Sequence, residues 1–207
     1  MTIQWLGHAC FKITHKGYSV VIDPYNSDYT AGYPRLKVTA DKLLISHEHY
    51  GHNYRQGVSL SGKPESACPF TITALETWHD SVCGIMRGTS LIHILEADGL
   101  RIAHLGDLGA WDDALAERLT GLDILLIPVG GHYTIDAQSA AALCHCVQPR
   151  MIIPMHYRTQ ANADWPIAPV EDFLSAMDAQ DAPRMPLLRV TAKDLSEQPR
   201  VAVLTEG

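Results

Sequence analysis

The sequence lacks an apolar run long enough to cross a membrane, and its start has no basic region followed by an apolar stretch. A membrane-spanning helix needs about 20 apolar residues, and a secretory signal combines a basic region with an apolar one. We therefore expect a cytoplasmic protein with no membrane partner.

Basic residues are scattered and outnumbered, with 16 Lys and Arg against 23 Asp and Glu and a net charge of −7. Proteins that bind nucleic acids usually present a basic face. We therefore expect a small-molecule substrate and no nucleic-acid partner. The sequence does not determine the oligomeric state, so a homo-oligomer is left open.

Cysteines are few, odd in number and irregularly spaced, which argues against a disulfide framework. Cys144 and Cys146 flank a histidine, but two residues separated by one position on a predicted helix point to different faces. We therefore interpret them as core or surface cysteines. Low-complexity tracts and linkers are also lacking in the 207 residues, so we expect a single domain over residues 1–207.

Strand patterns dominate the first half of the chain, and strands alternate with helices in the second. The predicted helices cover residues 111–119, 135–147 and 169–179. The predicted strands cover residues 3–6, 10–14, 18–23, 42–46, 70–74, 90–96, 100–105, 123–129, 151–154, 187–190 and 201–204. Residues 25–40 and 54–69 read as loops.

Three histidines lie within six positions, directly after the predicted strand at 42–46. Residues 46–53 read SHEHYGHN and contain His47, His49 and His52. Imidazole nitrogens are ligands for first-row transition metals, so this cluster points to a metal site.

Further donors follow other predicted strands: His79, Asp107 and His156 each come just after one. Loops at strand ends are where sheet proteins assemble their sites. The candidate ligands are therefore His47, His49, His52, His79, Asp107 and His156. A histidine-rich surface loop arising by chance is the alternative, and the recurrence of donors after four strands disfavours it.

These motifs, taken in order, resemble those of the metallo-β-lactamase superfamily, and most closely its small metal-dependent hydrolases that include the ascorbate-6-phosphate lactonases. The resemblance also covers WLGHA at 5–9, Asp23-Pro24, LGD at 105–107 and IPMHY at 153–157. It implies an α/β fold, a four-layer αββα sandwich with the metal site at one edge between two sheets.

The resemblance also implies how two ions would be held. His47, His49 and His79 would hold the first ion, His52 and His156 would hold the second, and Asp107 would bridge them. Zinc is the expected metal, with manganese or iron as alternatives because imidazole suits several first-row ions.

One position departs from the family motif His-x-His-x-Asp-His, because Gly51 stands where the family has aspartate. In the family this carboxylate binds the second ion, so we expect a weakened second site and slower turnover or a higher metal requirement. Three interpretations stay open: a single metal, two metals with water or substrate completing the site, or an altered position in an otherwise active sequence.

Other residues near these motifs are candidates for supporting roles. Asp23 and Asp80 are predicted to accept the free N–H of a ligating imidazole. His8 is predicted to lie at the pocket or to be structural, and His132 or Tyr133 to contact substrate or donate a proton. His132 and Asp107 are our candidate catalytic residues.

The expected function is hydrolysis of a small ester, lactone or phosphoester by metal-activated water. One alternative is a phosphodiesterase or nuclease of the same superfamily. The other is a non-catalytic metal- or ligand-binding protein in which Gly51 marks a decayed site.

Overall fold

The computed structural model describes residues 1–30, 32–195 and 200–206. In chain order the strands are β1 (Thr2–Gly7), β2 (Cys10–His15), β3 (Tyr18–Ile22), β4 (Val38–Ala40), β5 (Lys42–Leu44), β6 (Val58–Leu60), β7 (Thr71–Trp78), β8 (Thr89–Ala97), β9 (Leu100–His104), β10 (Ile124–Pro128), β11 (Met151–Met155), β12 (Arg184–Met185), β13 (Leu188–Arg189), β14 (Arg200–Val201) and β15 (Val203–Leu204). The helices are α1 (Asp113–Arg118), α2 (Ala137–Val147) and α3 (Val170–Ala176).

The first sheet has the order β13-β1-β2-β3-β5 and is antiparallel except for the parallel pair β3 and β5. The side chains along its strands point alternately into two buried environments. Ile13 and Val20 belong to the main core, whereas Cys10 and Val21 on the opposite face pack in a smaller apolar cluster. This is the period of two expected for a sheet that is covered on both sides.

The second sheet has the order β14-β11-β10-β9-β8-β7. The strands β7, β8 and β9 are antiparallel neighbours, and β9, β10, β11 and β14 are parallel. Every residue of β10 and β11 is buried. Such continuously apolar strands are typical of a parallel sheet covered on both faces.

Two of the helices begin directly after an aspartate that caps them. The side chain of Asp112 accepts the backbone N–H of Leu115, and that of Asp136 accepts the backbone N–H of Ser139. These caps explain why α1 and α2 start two residues later than the hydrophobic pattern predicted, since an N-cap residue lies outside the helix.

The two sheets and one helical layer of the predicted αββα sandwich are present, in agreement with the metallo-β-lactamase-type fold. The three described helices pack into the main core with the second sheet. The layer over the first sheet differs from the expectation: within the described residues it contains loops, short strands and a 3-10 turn at Arg55–Gly57, and no α-helix. Tyr25, Tyr33, Leu36 and Val58 cover Cys10 and Val21 there, and β4 pairs with β6.

Elsewhere the predicted strands are present with shifted ends, except that the one at 201–204 is divided into β14 and β15, which pair in different sheets. The predicted strand at 70–74 extends to Trp78 as β7. The predicted loops at 25–40 and 54–69 contain β4 and β6, which are three residues long and too short for a visible alternation. The described helices include none with the length and apolar character of a membrane span.

Candidate metal centre

Five segments end at one edge between the two sheets. From the first sheet, β1 leads to His8 and β5 leads to the histidine motif at 46–53. From the second sheet, β7, β9 and β11 lead to His79, Asp107 and His156. All six predicted ligands are therefore brought together, although they come from positions more than 100 residues apart.

Asp107 lies at the centre of the cluster. Its Oδ2 atom is 3.1 Å from Nε2 of His52, 3.3 Å from Nε2 of His79, 3.4 Å from Nε2 of His156 and 3.7 Å from Nε2 of His47. The Asp107 side chain is 4% exposed. A carboxylate oxygen and several imidazole nitrogens that approach one another are donor types that bind first-row metal ions.

Several of the converging atoms have no hydrogen-bond partner among the described residues. They include Nε2 of His47 and Oδ1 of Asp107, both fully buried. A buried polar atom without a partner costs free energy. The donor set, nitrogen and oxygen atoms directed at a shared space, therefore fits a metal ion.

The predicted first-ion ligands form one compact group. The candidate ligand atoms of His47, His49 and His79 all lie within 4.8 Å of one another. The His47 ring centroid is 4.7 Å from that of His49 and 4.6 Å from that of His79. His49 is exposed to the solvent, whereas His79 is buried.

A second group contains a histidine that the sequence did not mark as a ligand. The candidate ligand atoms of His8, His52 and His156 also lie within 4.8 Å of one another. The sequence predicts His8 as a pocket or structural residue. The structure places it among the predicted second-ion ligands.

Asp23 fixes the orientation of two of the imidazoles. Its carboxylate accepts hydrogen bonds from the Ser46 backbone N–H at 2.7 Å, from the Ser46 hydroxyl at 2.6 Å and from His52 Nδ1 at 2.9 Å. The Ser46 oxygen is also 2.8 Å from His47 Nδ1. Because the serine hydroxyl donates to Asp23, it accepts from His47, and both imidazoles are left with Nε2 free to bind a metal.

Burial keeps most of these imidazoles neutral. It lowers the pKa of His47 to about 3, with the neighbouring His52 adding to the effect. Burial also lowers the pKa of His79, and it holds the pKa of His8 well below the ordinary value with a further contribution from His156. A neutral imidazole is the form that binds a metal ion.

His52 behaves in the opposite way in the metal-free protein. Burial alone would lower its pKa, but Asp107 and Asp23 together raise it to about 10. Asp107 itself is held as a carboxylate against the effect of burial, mainly by His156 and His52. A metal binding at His52 therefore has to displace a proton.

Asp80 does not play the predicted part. Its carboxylate accepts four backbone N–H groups, those of Val82, Gly84, Met86 and Arg87, at 2.8–3.0 Å. The carboxylate therefore organises the loop that follows His79, and its described hydrogen bonds do not include an imidazole.

His132 and Tyr133 differ in their position relative to the cavity at the histidine cluster. His132 is exposed and lies outside the lining of the cavity at the histidine cluster, so its predicted catalytic role is not supported. Tyr133 lines this cavity, with its ring 6.4 Å from the ring of His156.

The cavity above the cluster has a volume of about 270 Å³. Besides the histidines, Asp107 and Gly51, it is lined by Arg87, Tyr133 and Trp165. The Arg87 guanidinium lies 5.6 Å from the Tyr133 ring centroid, a cation–π contact. Larger cavities of about 400 and 680 Å³ lie elsewhere, but they contain none of the histidines.

Ser46 and Arg87 were missed by the sequence analysis. Ser46 stands directly before the first motif histidine, so its position next to a ligand was a usable signal. Arg87 lies in a stretch without any recognisable pattern, and only the fold brings it to the cavity.

A sequence profile for the beta-lactamase superfamily domain matches residues 2–156 of the chain. A protein of Carboxydothermus hydrogenoformans named UPF0173 metal-dependent hydrolase is 29% identical over 205 residues, covering 81% of this chain and 87% of the relative. A similar relative from Thermococcus onnurineus is 29% identical over 197 residues, with 79% and 85% covered.

Solved structures also match this chain. A Thermotoga maritima protein of the metallo-beta-lactamase superfamily superimposes with a TM-score of 0.74 and 31% identity, covering 98% of this chain and 97% of that one. A structure from Parabacteroides distasonis has a TM-score of 0.66 and 21% identity over 98% and 93% of the two chains, which shows the shared fold alone.

Proposed function

Because this chain belongs to the family of the beta-lactamase superfamily domain and is a metal-dependent hydrolase of that superfamily, we propose that it cleaves a small ester, lactone or phosphoester. The observation that carries the proposal is the convergence on Asp107 of imidazole nitrogens from His47, His52, His79 and His156. The resemblance to ascorbate-6-phosphate lactonases stays a prediction within this proposal.

Zinc is the proposed metal, with manganese or iron as alternatives. His47, His49 and His79 would hold one ion, His52 and His156 a second, and Asp107 would bridge them. A metal bound there supplies a water nucleophile at neutral pH and polarises the bond to be cleaved. Asp23 holds His52, and through Ser46 also His47, in the orientation that this binding requires.

The residues above the cluster suggest how substrate is held. Arg87 adds a positive charge to a cavity of about 270 Å³, and Tyr133 adds a phenol. A volume of this size fits a small molecule better than a macromolecule. We propose a small substrate with an anionic or polar group that binds Arg87, and no nucleic-acid or membrane partner.

The test combines metal analysis with turnover. The protein, purified without chelator, is expected to retain zinc, manganese or iron and to hydrolyse a lactone, carboxylic ester or phosphomonoester model substrate. Asp107→Asn is expected to reduce the rate by roughly 100-fold or more, as for loss of a group at the reacting centre. Asp98→Asn, at an exposed carboxylate paired with Lys16, is the matched control and should keep full activity.

Other outcomes would replace the proposal. Turnover confined to phosphodiesters or nucleic acids would indicate a phosphodiesterase or nuclease. Stoichiometric metal without hydrolysis of any model substrate, even with excess zinc or manganese, would indicate a non-catalytic metal-binding protein.

A further inference from the structure

We propose that His8 supplies the second metal position with the ligand that Gly51 cannot provide. This position would then be built from three imidazoles and Asp107, instead of two imidazoles and two carboxylates. The inference rests on the proposed metal-dependent function and concerns the composition of its second site.

The first observation is that the His8 ring lies directly against position 51. A Cβ atom added to Gly51 would lie 3.0 Å from Nε2 and 3.3 Å from Cδ2 of His8. The third neighbour within 4 Å is a methyl group of Thr30 at 3.7 Å. The imidazole of His8 therefore lies in tight contact with the place where a side chain at position 51 would begin.

The second observation is that His8 is buried among the other predicted ligands of this position. It is 1% exposed, and its Nδ1 atom has no hydrogen-bond partner among the residues that the structure describes. Its ring centroid is 4.2 Å from that of His156 and 5.0 Å from that of His52. Three buried imidazoles whose candidate ligand atoms all lie within 4.8 Å of one another fit a shared cation.

The third observation is that the backbone is built to hold His8 in place. His8 has a φ of 54°, in the left-handed region that favours glycine, and it follows an irregularity in the pairing of β1 between Trp5 and Gly7. Its carbonyl accepts hydrogen bonds from the Trp5 indole at 2.9 Å and from the His156 backbone N–H at 3.1 Å. Such strain is typical of functional sites, where the surrounding structure compensates for it.

The exchange of ligands changes the chemistry of the site. A neutral imidazole in place of a carboxylate leaves the metal centre one unit more positive. Imidazole favours zinc and cobalt, whereas carboxylate oxygens suit manganese and magnesium. We therefore expect the second position to prefer zinc or cobalt over manganese more strongly than a site with aspartate at position 51.

The experiment counts bound metal in four proteins: the unaltered chain, His8→Ala, Gly51→Asp and the double variant His8→Ala/Gly51→Asp. Each is loaded with Zn²⁺ or Mn²⁺, dialysed and measured by elemental analysis. The unaltered chain is expected to hold two zinc ions, His8→Ala one, and the double variant two with a gain in retained manganese. Gly51→Asp alone should gain no metal, because its side chain meets the His8 ring.

The matched control is His145→Ala, which removes an exposed imidazole on α2 and should leave two ions bound. If His8→Ala bound two zinc ions with unchanged affinity, the inference would be overturned. It would also be overturned if both His8→Ala and the unaltered chain bound a single ion. Absence of metal from the unaltered chain would instead overturn the proposed function together with this inference.

A measurement on the unaltered chain covers the case in which His8→Ala does not fold. The ring ¹⁵N resonances of His8 are followed by NMR during a zinc titration. They are expected to shift while the second equivalent of zinc binds. Resonances of His8 that stay unchanged through both equivalents would overturn the inference.

Discussion

At the scale of single residues, the site depends on how each imidazole is oriented as much as on which residues are present. Asp23 has a buried carboxylate that binds the backbone and side chain of Ser46 and the Nδ1 atom of His52. Burial would raise its pKa, but the hydrogen bond and charge of His52 hold it at about 2. One carboxylate therefore sets the tautomers of two predicted ligands.

Asp23→Asn is expected to weaken zinc binding by roughly 10- to 100-fold, the range for loss of a group that orients metal ligands. Its amide cannot accept all three hydrogen bonds, so the free energy of unfolding should also fall by about 1–3 kcal/mol. Zinc affinity is measured by competition with a chromophoric chelator. Asp98→Asn, at an exposed carboxylate, is the control, and equal affinity in both variants would contradict this role of Asp23.

The six candidate ligands, which the structure brings together, could be proposed from the sequence because they follow strand ends within recognisable motifs. The supporting residues were harder to assign, because adjacency along the chain does not give the direction of a side chain. Asp80 follows His79 directly, yet it binds the backbone of the next loop. The proximity of His8 to Gly51 links positions 43 apart, and such a contact leaves no trace in a local pattern.

At the scale of secondary-structure elements, the site forms because several strands end together and their loops approach one another closely. The strand β7 ends before His79, and the segment after Asp107 passes against it. Gly109 donates its backbone N–H to the carbonyl of Trp78 at 2.9 Å. A Cβ atom at position 109 would lie 2.2 Å from the backbone nitrogen of Asp80, a distance that real contacts do not show.

Gly109→Ala is therefore expected to push the His79 segment away from Asp107. We expect a loss of about 1–3 kcal/mol in unfolding free energy, as for other overpacked sites, and a lower zinc content after dialysis. Gly17→Ala is the control, because it lies in an open turn with a φ of 74°. It should lower stability through backbone strain but leave zinc content unchanged. Full zinc retention in Gly109→Ala would contradict the expected displacement.

The positions of most elements could be predicted because alternating apolar and polar residues, or continuous apolar runs, indicate which side chains are buried. The strand β10 reads ILLIP and is buried throughout. The ends were less predictable, since Asp112 and Asp136 act as helix caps and shorten the helices that the apolar pattern suggested. The strands β4 and β6 depend on a long-range pairing with each other, and three residues carry too little pattern to show it.

At the scale of the whole molecule, two sheets enclose a core that extends to the buried histidine cluster at their edge. The resemblance to a known family correctly gave the sheets and the helical layer. It did not give the layer over the first sheet, which has no α-helix among the described residues and where Tyr25 and Tyr33 cover the strands. That layer also contains Thr30, whose methyl group lies next to Gly51. The unexpected layer of the fold therefore lies beside Gly51, the position at which the metal motif departs from the family.

The cluster should give the metal-free protein a stability maximum near neutral pH. Burial lowers the pKa of His47 to about 3, so between pH 6.5 and 3 the unfolded chain binds a proton that the folded protein does not. Stability therefore falls as the pH falls through this window, and Asp23, with a pKa of about 2, adds to the loss below pH 3.8. On the alkaline side, the raised pKa of His52 gives stability that is complete below pH 6.5 and is lost as the pH rises towards 10.

Thermal unfolding in EDTA from pH 4 to pH 10 is therefore expected to give a Tm that declines on both sides of about pH 6.5. Asp107→Asn tests the origin of the alkaline decline, because Asp107 is the main group that raises the pKa of His52 against the effect of burial. The variant should lose most of the decline above pH 7 and keep the decline in acid, which comes from burial of His47. An alkaline decline of the same size in Asp107→Asn would show that the pairing of His52 with Asp107 does not stabilise the metal-free protein.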